Sequence, residues 1–340
     1  MDVGAQRMAR GEGADPGPPR SHPRAARPAI ASPTDDAPHA AQAAPATAST
    51  WMVRGRAVVL SRPFVMGVLN VTPDSFSDGG RFAAPAHAEE HAARMIEQGA
   101  DIIDIGGEST RPQGARPVDA AEEMRRVLPV LRAIRAAHPH VLLSVDTVKS
   151  AVARAALDDG ADIINDVSAF RLDPAVAAVC AESGAGVVLM HSRGGVSDMG
   201  TYTHAAYGAD PVGEVIAELG ERVEQAVRAG VTRAAIALDP GIGFAKRSEH
   251  SVAVLRELRR VVALGFPVVV GVSRKRFIGE LSGVAEPAER VDGTTAANVL
   301  ALAAGARIFR VHDAQAARRA LDVAAALLAP PPPLPRGSDR

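Results

Sequence analysis

The sequence predicts one α/β domain, a (β/α)8 TIM barrel with a disordered N-terminal extension. Three observations predict it. Short β-branched apolar runs alternate with helix-like stretches, at Phe64–Asn70, Ile102–Gly106, Val141–Asp146, Asp162–Val167, Gly186–Met190, Ala235–Asp239, Pro267–Val272 and Arg307–Val311. The runs are continuously apolar rather than alternating, which suits parallel strands buried on both faces. Every run also ends in polar groups, on the rim where TIM barrels carry their chemistry.

The elements follow from residue type. Ala120–Ala137, Gly213–Ala229 and Ala314–Leu328 are the clearest helices, with apolar residues three and four apart. Gly99-Ala100, Gly160-Ala161 and Gly305-Ala306 each read as a helix stop followed by the start of a strand. The barrel is placed at residues 58–328, close to the ~250 residues typical of the fold. An open doubly wound sheet is the rival, but no G-x-G-x-x-G follows the first run.

Residues 1–50 differ in kind. They are rich in Ala, Pro and Arg and carry Pro16, Pro18, Pro19, Pro23, Pro28, Pro33, Pro38 and Pro45. They bury too little to offset their ordering entropy, so a disordered extension is expected. Residues 329–340 form a second Pro-rich end. No apolar h-region follows Met1, and Asp2, Glu12, Asp15, Asp35 and Asp36 speak against an acid-poor transit peptide.

Composition excludes several function classes. The 340 residues carry a formal net charge of -1, so nothing draws the whole molecule to nucleic acid or anionic lipid. With Cys180 as the sole cysteine, intrachain disulfides and thiolate-rich metal sites are excluded. That suits a reducing, cytoplasmic setting. No apolar run reaches the ~18 residues a membrane span needs. Aromatics make up 3%, leaving aliphatic side chains to fill the core. Lysines occur only at Lys149, Lys246 and Lys275, so each needs a reason.

The rim gives the chemistry. The strand ends supply Asn70, Asp104, Asp146, Asn165 and Asp166, His191, Asp239, Ser273 with Lys275, and Arg310 with His312. Any one of these could be a turn former or cap. Their charges, however, are sorted: carboxylates and amides come early, whereas Arg274, Lys275, Arg276, Arg310 and His312 gather after the last two runs, where barrels often bind phosphate. The carboxylates could hold a divalent cation or accept paired hydrogen bonds from an amidine-like edge. A nitrogen-rich substrate head with a phosphorylated end fits both poles, and magnesium would ride with the phosphates. Two Gly-punctuated loops, Asn70–Gly80 and Gly106–Gly114, exceed the usual two to six residues of βα connections and could close over the site.

The motifs NVTPDSFSDGG (Asn70–Gly80), DIGGESTRP (Asp104–Pro112), SVDT (Ser144–Thr147), INDV (Ile164–Val167), Met190-His191, DPGIGF (Asp239–Phe244), SRKRFIG (Ser273–Gly279), DGTTAA (Asp292–Ala297) and RVHD (Arg310–Asp313) resemble the dihydropteroate synthase family, in family order. The resemblance implies a homodimeric TIM barrel that joins a dihydropterin pyrophosphate to p-aminobenzoate with release of pyrophosphate. It places Asp104, Asp146, Asn165, Asp239, Lys275 and Arg310 around the pterin, and Asn70, Arg111, Arg310 and His312 at the pyrophosphate. Mg2+ would sit near Asn70. Thr110, Arg111, Pro112, Phe244, Ser273 and Lys275 would border the p-aminobenzoate site, where the family's sulfonamide inhibitors compete. Asp104 would secure the second loop. Asp146, Lys275, Arg310 and His312 would carry the catalysis, with no Ser-His-Asp triad. The sequence departs from the family at Gln113, between Pro112 and Gly114, and at Arg276, often Ser in relatives. A pterin-dependent methyltransferase would share the carboxylates but not need the cations, and a silent pterin-binding paralogue would share both.

Overall fold

The computed structural model describes residues 49–71, 80–108 and 118–329. The expected extension up to residue 48, the tail from 330, and Thr110, Arg111, Pro112 and Gln113 lie outside the described residues. Eight parallel strands form the barrel: β3 (Phe64–Asn70), β4 (Ile102–Gly106), β5 (Leu142–Asp146), β6 (Ile163–Asp166), β7 (Gly186–Met190), β8 (Ile236–Asp239), β9 (Val269–Val270) and β10 (Ile308–Val311). They run β8-β7-β6-β5-β4-β3-β10-β9, and a parallel bridge from Leu238 to Val268 joins the two ends. The ladder at β9 is shorter than the predicted Pro267–Val272. Pro267 has no N–H to donate, so regular pairing starts after it.

Around the strands lie α1 (Gly80–Glu97), α2 (Ala120–Ala137), α3 (Ser150–Asp158), α4 (Ala175–Ser183), α5 (Pro211–Arg228), α6 (Ser248–Arg256), α7 (Leu258–Val262), α8 (Arg276–Ser282), α9 (Val291–Ala304) and α10 (Ala314–Leu328). On α5 the buried residues Val212, Val215, Leu219, Val223 and Ala226 recur at helical spacing. Asp210 caps its start by accepting from Gly213 N–H. The expected Gly-Ala joints are present: Gly99, Gly160 and Gly305 take φ of +93°, +100° and +111°, a region costly for any residue with a Cβ. Among the described residues no helix is long and apolar enough to cross a membrane.

A hairpin that the sequence reading did not separate from the extension precedes the barrel. Strands β1 (Ser49–Val53) and β2 (Arg56–Leu60) pair antiparallel through Arg54 and Gly55, with φ of +52° and +71°. Positive φ at both turn residues matches the right-handed twist of the strands. This hairpin occupies the stretch between the expected extension and the expected barrel start at residue 58, overlapping both by a few residues. Trp51, Val53 and Leu60 pack with Met66, Ile102, Ile163, Val188, Ala237, Val269 and Ile308 to plug the N-terminal end of the barrel. Trp51 Nε1 donates to Ala235 O at 2.7 Å. Gly186 is small for a steric reason, since a Cβ there would lie 2.8 Å from Val53 and 3.2 Å from Trp51.

With the floor sealed by apolar side chains, the C-terminal mouth is left for chemistry. Truncating the plug, Trp51→Ala, should cost about 3–5 kcal/mol. Urea unfolding would read this as a large drop in midpoint, beside a small change for the half-exposed Val59→Ala. Equal midpoints for the two variants would show that the hairpin is not part of the core.

Candidate active site at the barrel mouth

Strand periodicity builds the site. Residues two apart share a face, so the strands that send Ile102, Leu142, Ile163, Ala237 and Ile308 into the floor send Asp104, Ser144 and Asp146, Asn165, Asp239 and Arg310 inward above it. The parallel register aligns Asp104 with Ser144, Asp146 with Asn165 and Gly106, and Arg310 with Met66. Polar residues on the inner face thus sit at the C-terminal end because the apolar ones occupy the other.

Arg310 is the hub. Its Nε donates to Asp104 Oδ2 at 2.6 Å and its Nη2 to Asp146 Oδ2 at 2.8 Å. Asn165 Nδ2 donates to the same Asp104 oxygen at 3.1 Å, while Asp104 Oδ1 is buried without a hydrogen-bond partner. Asp104 is fully buried. Its described contacts tie it to Arg310 and Asn165, and its expected link to the second loop falls on residues outside the described ones. The base of that loop is nevertheless held: Glu108 Oε1 accepts from Val118 N–H at 2.6 Å and Glu108 Oε2 from Lys149 Nζ at 3.0 Å. Asn70 and Asp146 flank Gly106 from the neighbouring strands, and a Cβ there would lie 3.8 Å from Asn70 Oδ1 and 4.0 Å from Asp146 Oδ2.

Across the mouth, Asp239 Oδ1 accepts from Gly241 N–H at 2.7 Å, which fixes its rotamer. Gly271 separates Asp239 from Arg310, since a Cβ there would lie 3.8 Å from both Asp239 Oδ2 and Arg310 Cβ. Lys275 Nζ donates to Ile242 O and lies 4.6 Å from the centre of the Phe244 ring. Ser273 Oγ accepts from His312 N–H at 3.1 Å and stands 3.0 Å from His312 Nδ1, so it orients the imidazole. Arg274 turns away to pair with Asp313, and Arg276 stacks on Tyr202. Of the cations expected after the last two runs, Lys275, Arg310 and His312 therefore remain with the site.

The charges perturb one another. Burial pushes the Asp146 carboxyl up to about 8, against the pull of the Arg310 guanidinium and with Asp104 adding to the rise. Burial works against charge on Arg310 too, but Asp104 and Asp146 outweigh it and hold its pKa above the ordinary value. Burial lowers Lys275 to about 8, partly offset by Asp239. Asp239 is raised by burial, with Lys275, the Gly241 N–H, Arg310 and Lys246 opposing.

Sequence reasoning passed over Lys246 as a site residue, although the scarcity of lysine marked it. Lys246 is 1% exposed and lies directly behind the Asp239–Phe244 loop. Its partner His191 was noted only as a rim residue.

Magnesium is a group that the resemblance implies. Among the described residues no three His, Cys, Asp or Glu side chains gather as a cage. The amide oxygen of Asn70 and the carboxylate of Asp146 are hard oxygen donors that both border Gly106, a set that fits an ion bound mainly through substrate phosphates.

The raised Asp146 has a consequence for stability. Its folded value lies above the ordinary 3.8, so it takes up a proton on folding. The resulting stability is present at low pH and is lost as pH rises toward about 8. Asp146→Asn removes that loss. Its unfolding free energy relative to the parent should therefore rise by at least about 1 kcal/mol between pH 5 and pH 8. A difference that stays flat or falls would show that Asp146 is ionised throughout.

The chain matches the family of pterin binding enzymes over residues 66–312. It is 46% identical over 266 residues to a dihydropteroate synthase of Synechocystis sp., covering 78% of this chain and 90% of the relative. Its structure is similar to Xanthomonas albilineans dihydropteroate synthase with 4-aminobenzoic acid, at a TM-score of 0.77 and 45% identity, covering 84% of this chain and 100% of the other. For the X. albilineans enzyme in complex with 7,8-dihydropteroate the TM-score is 0.73 and the identity 44%, covering 82% and 98% of the two chains. Motif order, barrel geometry and these likenesses agree, and the chain belongs to the dihydropteroate synthase family of pterin-binding enzymes.

Proposed function

We infer that the barrel mouth runs the dihydropteroate synthase reaction through two opposed poles, condensing 6-hydroxymethyl-7,8-dihydropterin pyrophosphate with p-aminobenzoate to give 7,8-dihydropteroate and pyrophosphate. The observation that carries this reading is the placement of Asp239 and Arg310 on either side of Gly271, where one molecule can touch both. Asp239 and Asn165 accept and donate along the aminopyrimidinone edge, as carboxylates do with guanidinium-like groups. Lys275 serves the pterin oxygen and ring nitrogen, and Asp104 holds Asn165 and Arg310 in place beneath. The proposal retains Asn70, Arg111, Arg310 and His312 for the pyrophosphate. Thr110, Arg111, Pro112, Phe244, Ser273 and Lys275 remain for p-aminobenzoate.

In the reaction the bond between the pterin methylene carbon and the pyrophosphate oxygen breaks, and its electron pair leaves with pyrophosphate. Arg310 and His312 lower the energy of that departing charge. Positive charge develops on the methylene and spreads over the pterin ring, which favours the ionised form of the neighbouring Asp146. The arylamine nitrogen, already neutral at pH 7, supplies the pair for the new C–N bond and then gives up its proton to solvent water. Ser273 acts by orienting His312. Mg2+ held near Asn70 and Asp146 would supply further neutralisation of the phosphates. Magnesium titrated calorimetrically with and without pyrophosphate tests this, and equal affinities would count against it.

The reading extends to assembly and location. A second copy would cover the exposed apolar residues Leu300 on α9 and Val323, Leu327 and Leu328 on α10, and a monomer mass by light scattering would contradict that. The buried, unpaired thiol of Cys180 supports a reducing cytoplasm. A periplasmic or extracellular pool on fractionation would oppose it.

Purified protein given both substrates and Mg2+ should release pyrophosphate and form dihydropteroate, which separates this reading from a methyltransferase or a silent binder. Asp239→Ala removes a buried charged hydrogen-bond partner worth about 1.5–3 kcal/mol, so pterin affinity should fall roughly 10- to 150-fold. Arg310→Ala should reduce both affinity and turnover. Parent-like kinetics in either variant would overturn the assignments.

A further inference from the structure

The Asp239–Phe244 loop carries one residue of each half-site, Asp239 for pterin and Phe244 for p-aminobenzoate, and its backbone is clasped from behind. Lys246 Nζ donates to Gly241 O at 3.1 Å and to Phe244 O at 3.2 Å, and lies 2.8 Å from His191 Nδ1. Burial pulls Lys246 well below its ordinary value, against Asp239 and Glu218, but the three acceptors around Nζ match the three protons of an ammonium. On its other side His191 Nε2 lies 3.1 Å from Glu218 Oε2. A carboxylate can only accept, so His191 carries its proton on Nε2 and offers the Nδ1 lone pair to Lys246. Burial first, and the nearby Lys246 charge second, hold His191 down to about 4, consistent with a neutral ring. Arg193 in turn pairs with both Glu214 and Glu218.

The loop is pressed onto this support. A Cβ on Gly241 would lie 1.9 Å from His191 O, and the backbone N–H of His191 donates to Asp239 O at 2.9 Å. Lys275 takes one of the two intervening carbonyls, Ile242 O, from the substrate side. Two lysines thus grip alternate faces of one short loop. Lys246 is fully buried and cannot touch a substrate, so whatever it does is done through the loop.

We propose that Lys246 and His191 form a buried positioning pair that sets the Asp239–Phe244 loop, so that one support aligns the pterin-holding carboxylate and the p-aminobenzoate-bordering ring together. The proposal rests on the half-site roles inferred above for Asp239 and Phe244. Glu218 anchors the Lys246-His191 pair at α5. The Glu218 end opens on a cavity of about 160 Å³ bordered by Arg171, His191, Arg193 and Arg222. Glu218 can therefore be altered with less risk to the fold than Lys246.

The test measures equilibrium binding of the pterin pyrophosphate and of p-aminobenzoate, with steady-state kinetics, for Lys246→Met, Lys246→Arg and Glu218→Gln. Lys246→Met should weaken both substrates at least 10-fold well below its melting temperature. Lys246→Arg should restore part of that, and Glu218→Gln should weaken both about 3-fold. A lower melting temperature with unchanged affinities would reduce Lys246 to a core residue and overturn the proposal, as would weakening of only one substrate. If Lys246→Met does not fold, Glu218→Gln and the parent decide. Imidazole 15N shifts must show His191 neutral with its proton on Nε2 in the parent, and a proton on Nδ1 overturns the pairing. A parent that binds neither substrate refutes the half-site reading instead, while the His191 shifts still report on the pair.

Discussion

A guanidinium held between two carboxylates inside a β-barrel governs this structure. Arg310 reaches Asp104 and Asp146 within 2.8 Å, and Asp104 is fully shut off from water. Desolvating such groups costs more than their attraction often returns, and an apolar filling of the same shape would be as stable or more so. The rest of the mouth is arranged to keep these charges tolerable. Asn165 shares the Asp104 oxygen, Gly271 leaves room beside Arg310, and Lys275 balances Asp239. The arrangement leaves spare hydrogen-bonding capacity, such as the unpartnered Asp104 Oδ1, pointing at a polar function rather than at stability.

The same strands that carry these groups also isolate them. On the inward faces of β4, β5, β6, β8 and β10 the N-terminal positions are aliphatic and the C-terminal ones polar, with Trp51 closing the lower end. A low-dielectric floor under the mouth strengthens each electrostatic contact above it. The fold thereby produces a one-ended site whose polar walls are set by strand register rather than by flexible connections. Loop residues matter where register cannot reach, as at Phe244, and there the backbone is held by buried lysines instead.

Much of this was legible in the sequence because barrel strands are long-range structure written in local code. The ends of Phe64–Asn70 and Ile102–Gly106 coincide with the predicted runs, and Ala120–Ala137 and Ala314–Leu328 with the predicted helices. Pairing was not legible. Nothing local states that Arg310 bonds Asp104, separated by 206 positions. The hairpin was missed since Ser49–Val53 adjoins a Pro-rich stretch that masks its alternation, though Arg54-Gly55 was a usable turn signal. Lys246 was visible only as a rare residue type, because burial of its ammonium depends on carbonyls turned inward by the Gly241 backbone.

The central claim is that one bound molecule spans the two poles of the mouth. A crystal structure with a non-hydrolysable analogue of the dihydropterin pyrophosphate tests it most directly. The account predicts the heterocycle's nitrogen edge within hydrogen-bond distance of Asp239 and Asn165, with the diphosphate against Arg310 and His312. A heterocycle seated away from Asp239, or a diphosphate pointing away from Arg310, would contradict it.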